Sequence, residues 1–163
     1  MIGYEDKRFI QKSLDNHYSK LNKYYTNLLS DSLLYYQSAL SKLAIDVAPT
    51  LIDDQLLKQP YYKITLDRQI QFCTPKEYRK LIQSILSIIN KLYLNGFGVS
   101  IDPKPNNFAY LKGKVIYFDL VPPLINKKEI HIFLRREDED DQKVEWKLIR
   151  YFTLSGLLQV FFI

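Results

Sequence analysis

The segment from Thr74 to Gly96 constrains this chain more than any other. Thr74-Pro75-Lys76-Glu77 supplies an oxygen-bearing cap, a proline at the first helical position and a glutamate at the third. The hydroxyl and the carboxylate can satisfy two of the backbone donors that a helix start leaves unpaired, and proline there gives up no hydrogen bond. Tyr78, Leu81, Ile82, Ile85, Ile88, Ile89, Leu92 and Tyr93 then recur at three- and four-residue steps, and Asn95-Gly96 supplies the stop. The spacing predicts a helix about 30 Å long. Its apolar face is too wide to leave in water, so the remaining chain has to be built around it.

The chain has 163 residues, enough for one domain with a real core, and a hydrophobic fraction of 47% fits a folded globular protein. A formal net charge of +5 permits a polyanionic partner. The lysines are scattered rather than blocked, so nucleic acid is allowed but not favoured; the same mild positive field suits ATP and phosphorylated substrates. Cys73 is the sole cysteine, which excludes an internal disulfide and makes an intracellular, cytoplasmic setting the expectation. The first residues form no apolar signal core, and no run reaches about 18 apolar residues, so no membrane span is expected. Tyr151–Ile163 is apolar over thirteen residues and reads as a buried helix.

The organisation expected is one domain in three stretches. Residues 1–44 read as N-terminal helices: apolar residues from Phe9 to Leu29 fall at helical spacing, Ser30-Asp31-Ser32 reads as a break and new cap, and Leu33, Leu34, Tyr36, Leu40 and Leu43 continue on a second helix. Residues 45–73 read as short strands and link, with Ile45–Ile52 extended, a turn at Asp53-Asp54, and strands over Tyr61–Leu66 and Gln69–Phe72. In residues 74–163, the capped helix leads to a short strand over Phe97–Ile101. A polar turn, Asp102–Asn107, follows. Phe108–Leu111 and Val115–Phe118 then flank Lys112-Gly113-Lys114 as a hairpin. Glu129–Leu134 has strand composition, Arg135–Lys143 reads as an exposed charged loop, and Val144–Phe162 as the last helix.

Chemistry concentrates between Val99 and Asp119. Asp102 is followed by Lys104, Pro105 and Asn107, and twelve residues beyond Asn107 an apolar strand ends in Asp119. This order of helix, short strand, Asp-Pro-Lys-Pro-Asn-Asn loop, hairpin and acid resembles the C-terminal lobe of the protein-kinase-like and aminoglycoside-phosphotransferase-like enzymes. The resemblance is specific over residues 75–123. It implies an α+β fold, a reduced kinase-like domain that is mostly helical with short β-hairpins. It implies Asp102 as the base that orients or deprotonates the attacking hydroxyl, and Lys104 as the charge on the transferred phosphoryl group. Asn107 and Asp119 would hold Mg²⁺ and with it ATP. The chain departs from the family pattern at Ser100, where the family has His or Tyr, and at Leu120-Val121-Pro122 after the metal-binding acid. No Gly-rich loop, no strand lysine in a Val-Ala-Ile-Lys-like setting and no Glu partner on a following helix stand out, so the small lobe reads as remodelled or missing.

The leading function expected is therefore a divergent phosphotransferase using ATP and Mg²⁺. The alternatives are a non-catalytic pseudokinase or interaction module, and a small basic nucleic-acid-binding protein in which the loop is only a turn. Tyr24-Tyr25, Tyr35-Tyr36 and Tyr61-Tyr62 near lysines are the features that favour the last. His17 and His131 lack companion cysteines, which argues against zinc. Cys73 reads as a small half-buried residue. Glu137–Asp141 lacks the glycine and spacing of a calcium loop. The apolar C-terminal helix is expected to pack on the 75–94 helix and to leave a face for a homodimer or protein partner.

Overall fold

The computed structural model describes residues 9–13, 23–53, 56–121, 123–126 and 141–162. It is α+β. In chain order come β1 (Phe9–Ser13), α1 (Lys23–Lys42), β2 (Leu51–Asp53), β3 (Leu56–Pro60), α2 (Leu66–Phe72) and α3 (Pro75–Leu94). A 3₁₀ turn (Pro105–Asn107), β4 (Phe108–Leu111), β5 (Lys114–Tyr117), α4 (Asp141–Phe152) and α5 (Leu154–Phe162) follow. Among the described residues no helix is long and apolar enough to cross a membrane.

Helix α3 carries the cap its sequence dictates. The Glu77 N–H donates to Thr74 Oγ1 at 3.3 Å, and the Thr74 N–H donates to Glu77 Oε2 at 2.8 Å. Those bonds from Thr74 hold the Glu77 carboxyl below its ordinary range. Leu81, Ile85, Ile88, Ile89 and Leu92 are buried, so one face of α3 is the floor of the core. Leu33, Tyr36 and Leu40 of α1, Phe108 and Tyr117 of the β4–β5 hairpin, and Leu157 and Phe161 of α5 close over it.

The strands form two antiparallel sheets, one ordered β1-β3-β2 and the other the β4–β5 hairpin. The hairpin turns through Lys112 and Gly113, both at positive φ, between the paired Leu111 and Lys114. Two left-handed residues match the twist of the flanking strands, which is why a glycine sits at the tip. The extended segment after α1 runs beside β5: Tyr117 N–H donates to Asp46 O at 2.9 Å and Ala48 N–H to Tyr117 O at 2.8 Å.

Several local expectations are corrected. Phe9–Ser13 is a strand, not helix: Phe9 pairs with Pro60 and Ser13 with Leu56, so partners some fifty residues away override the local helical spacing. The N-terminal stretch 1–44 is thus not wholly helical. Helix α1 runs unbroken through Ser30-Asp31-Ser32 because Ser32, Leu33 and Tyr36 are drawn into the core. That burial outweighs a propensity penalty of at most about 0.7 kcal/mol per residue. Gln69–Phe72 belongs to helix α2 rather than a strand; Tyr61–Leu66 gives only a single bridge, Thr65 to Ala109. Phe97–Ile101 is likewise reduced to one bridge, Val99 to Ile125.

The last helix is two. Thr153 ends α4 and caps α5: its hydroxyl donates to Ile149 O at 2.7 Å and accepts from the Gly156 N–H at 3.0 Å. Helix α5 packs against α3, as expected of the C-terminal segment. Residues 141–143 of the charged run are the first turn of α4. Residues 135–140, Glu129–Leu134, His17, His131 and the Asp54 half of the proposed turn lie outside the described residues.

Candidate functional site

Between Val99 and Asn107 the backbone is held from three sides. Ser100 is fully buried; its N–H donates to Leu124 O at 2.8 Å, its hydroxyl donates to the Tyr151 carbonyl of α4, and its own carbonyl accepts from the Tyr36 hydroxyl of α1. Ile101 and Pro103 point inward and are buried, and the alternation turns the Asp102 and Lys104 side chains the other way.

Asp102 is a shielded carboxylate, 13% exposed. Lys104 Nζ lies 3.0 Å from Asp102 Oδ2, and the Lys104 N–H donates to Asp102 Oδ1 at 3.4 Å. The Asp102 N–H in turn donates to the Tyr117 hydroxyl at 3.2 Å. The two phenols thus hold the loop at two points, Tyr36 at the residue 100 carbonyl and Tyr117 at the residue 102 amide. Helix α1 and strand β5 together fix where Asp102 sits.

Asn107 Nδ2 donates to Asp102 O at 3.2 Å, which orients the amide and leaves Oδ1 as its remaining acceptor. The Phe118 N–H donates to Asn107 O at 3.1 Å. Phe118 is held again from the small sheet, where buried Gln59 donates Nε2 to Phe118 O at 2.9 Å and to Thr50 Oγ1 at 3.0 Å. The Tyr62 ring stacks on Phe118 with centroids 5.5 Å apart. Asp119 follows directly from this pinned residue.

Both acids belong to one electrostatic neighbourhood. Burial pushes the Tyr36 and Tyr117 phenols far up, and the Asp119 charge adds to each. Tyr151 is pushed up to about 12, first by burial and then by the Asp102 charge, with a smaller addition from Asp119. The two carboxylates thus act on the same phenol of α4 from the loop side and the hairpin side. Lys104 and Asn107 lie with them, which brings all four sequence-derived residues to one end of the hairpin.

Among the described residues no three His, Cys, Asp or Glu side chains cluster to hold a metal. The oxygens at this end of the hairpin include the Asp119 carboxylate and the Asn107 amide oxygen. Mg²⁺ takes that kind of set when phosphate oxygens complete its shell. Cys73 is half-buried, with Sγ 3.3 Å from Ile70 O. Of the tyrosine pairs, Tyr36 is in the core and Tyr62 is stacked, while Tyr35 and Tyr61 are exposed.

Sequence reasoning missed the roles of Ser100, Tyr36, Tyr117, Tyr151 and Gln59 because the bonds Tyr36–Ser100, Asp102–Tyr117, Ser100–Tyr151 and Gln59–Phe118 join residues 15 to 64 apart. No protein-family model, no curated protein and no solved structure matches this chain.

Proposed function

We propose that the chain is a divergent, kinase-like phosphotransferase that moves a phosphoryl group from Mg²⁺-ATP to a hydroxyl. The observation that carries this reading is the knitted loop in which Asp102, Lys104 and Asn107 bond to one another while Asp119 follows a residue bonded to Asn107. Phosphoryl transfer asks the protein for alignment and charge compensation more than for covalent chemistry. Asp102 accepts the proton of the attacking hydroxyl. Lys104, paired with Asp102 at 3.0 Å, compensates charge on the group in flight. Asn107 Oδ1 and the Asp119 carboxylate are the atoms that would hold the metal, which would screen the phosphates of the nucleotide.

The element order supports the same reading on the other side of the site. Strand, helix, and two further strands, in a sheet ordered β1-β3-β2, precede the hinge-like segment that leads to α2. In kinase-like enzymes a lysine on a strand followed by a helix grips the nucleotide phosphates. By register Lys12 of β1 stands opposite Leu57, and we take it as the candidate for that lysine. Helix α1 carries one acid, Asp31, and no glutamate, so the lysine's usual partner is absent from it.

The pseudokinase reading is kept by Ser100 and by Leu120-Val121 after Asp119, both departures from active family members. Melting curves with and without Mg²⁺-ATP test nucleotide binding, and release of ADP tests turnover. At a nucleotide concentration one hundred times Kd, stabilisation is about 2.7 kcal/mol. That corresponds to a rise of roughly 5–10 °C for a chain of this size. Asp119→Asn removes most of the rise. A rise without ADP release assigns the pseudokinase; no rise at millimolar nucleotide overturns the proposal.

A further inference from the structure

A cleft of about 500 Å³ opens beside Lys104, between α2, the Pro105–Asn106 turn and the two C-terminal helices. Trp146, Ile149 and Val160 give it apolar walls, and Asp67 and Arg150 bring opposite charges into it. Asp67 Oδ1 and Arg150 Nε are buried and have no hydrogen-bond partner among the described residues. The Arg150 guanidinium rests on the Trp146 ring, 4.9 Å from its centroid. A buried polar atom without a partner costs about 1–3 kcal/mol, so two in one cleft is an arrangement that folding alone does not favour. A cleft of this volume with apolar walls and a few convergent polar groups is the usual form of a small-molecule site.

We propose that this cleft binds a small zwitterionic hydroxy compound of amino-acid type, its carboxylate on Arg150 and its amine on Asp67. The chemistry follows from the two orphaned atoms. Asp67 Oδ1 accepts and needs a donor. Arg150 Nε–H donates, and together with a neighbouring Nη–H it makes the side-on fork that fits a carboxylate. The guanidinium lies over Trp146 with its Nε buried, so binding requires it to turn toward the cleft. The apolar walls take the body of the ligand. Lys104 lines the cleft and is bonded to Asp102, so on the phosphotransferase reading a hydroxyl on the ligand is the group that base would serve. Use of the ligand as phosphoryl acceptor rests on the phosphotransferase reading; occupancy of the cleft does not.

Trp146 is the only tryptophan in the chain, so its fluorescence reports the cleft directly. The test titrates the nucleotide-free protein with L-threonine, with 1-amino-2-propanol, which lacks the carboxylate, and with 3-hydroxybutyrate, which lacks the amine. A charge-assisted hydrogen bond is worth roughly tenfold or more in affinity. Threonine is expected to shift the emission and to bind at least about tenfold tighter than either analogue. Arg150→Gln brings threonine down to the level of the amino alcohol, and Asp67→Asn down to that of the hydroxy acid. The analogue series on the native chain needs no variant to fold. Equal response to all three compounds, no response up to 50-millimolar scale (on the order of the weakest useful small-ligand affinity), or discrimination that survives both substitutions overturns the assignment. Because no nucleotide is present, loss of this result and loss of the Mg²⁺-ATP melting shift are separate outcomes.

Discussion

Gly156→Ala is the substitution on which helix propensity and tertiary packing disagree in sign. Gly156 sits in the first turn of α5, and in an open helix alanine there is favoured by about 1 kcal/mol. The fold gives the opposite answer. A Cβ at this position would lie 2.4 Å from Ile149 O, 2.6 Å from Arg150 O and 2.7 Å from Arg150 Cα. All three atoms are backbone of the last turn of α4, so no side chain can rotate away. Helix α5 must slide by about 1 Å to restore ordinary contact, and it carries buried Leu157, Val160 and Phe161 with it. Overpacking of this kind costs about 1–3 kcal/mol. We expect a net loss of about 2 kcal/mol, read as a fall of roughly 4–8 °C in melting temperature by far-UV circular dichroism. Gly98→Ala is the control, since a Cβ there meets only Asn95 Nδ2 at 3.5 Å and Asn95 O at 3.9 Å. A Gly156→Ala protein as stable as the native chain would refute the close crossing of α4 and α5.

Tyr36→Phe removes the hydroxyl that bonds to the Ser100 carbonyl. It should cost about 1–2 kcal/mol in urea unfolding and speed hydrogen exchange at the Ile101–Asn107 amides. Unchanged exchange there would show that the loop does not depend on α1. Thr74→Ala should lower the melting temperature while Thr74→Ser keeps it, because only the hydroxyl accepts from the Glu77 N–H; equal loss in both would point to the methyl group instead. Tyr151 titrates at about 12 in the folded chain against about 10 when unfolded. The unfolded state therefore loses its proton first, so this contribution is intact below pH about 10 and is lost as pH rises through about 12. Tyr151→Phe should flatten that alkaline fall, and a fall of equal steepness would place the titration elsewhere. Asp102→Asn should abolish ADP release while leaving the Mg²⁺-ATP melting shift in place; loss of both together would make Asp102 a binding residue rather than the base.

Elements whose signals are local are legible along the chain. The Thr74–Glu77 box, the Ile85–Ile89 stripe and the Asn95-Gly96 stop all act within one helix, and α3 has those bounds. Gly113 required a tight turn, and the β4–β5 hairpin has one. The order of Asp102, Lys104, Asn107 and Asp119 was equally legible, because a loop and the hairpin after it bring near residues together. Tertiary structure decided the rest. Phe9–Ser13 has helical spacing and becomes a strand only because β3 offers it an edge. Ser30–Ser32 would cap a free helix, yet α1 continues because Leu33, Tyr36 and Leu40 gain more from burial in the core than the turn gains from its hydroxyls. The Tyr36 hydroxyl on the Ser100 carbonyl and the Tyr117 hydroxyl at the Asp102 amide have no local signal, since each depends on segments that meet only after the chain has collapsed. Local hydrogen bonds and periodicity can be read along a chain; contact across it is set by which surfaces remain to be covered once the strongest helix has formed.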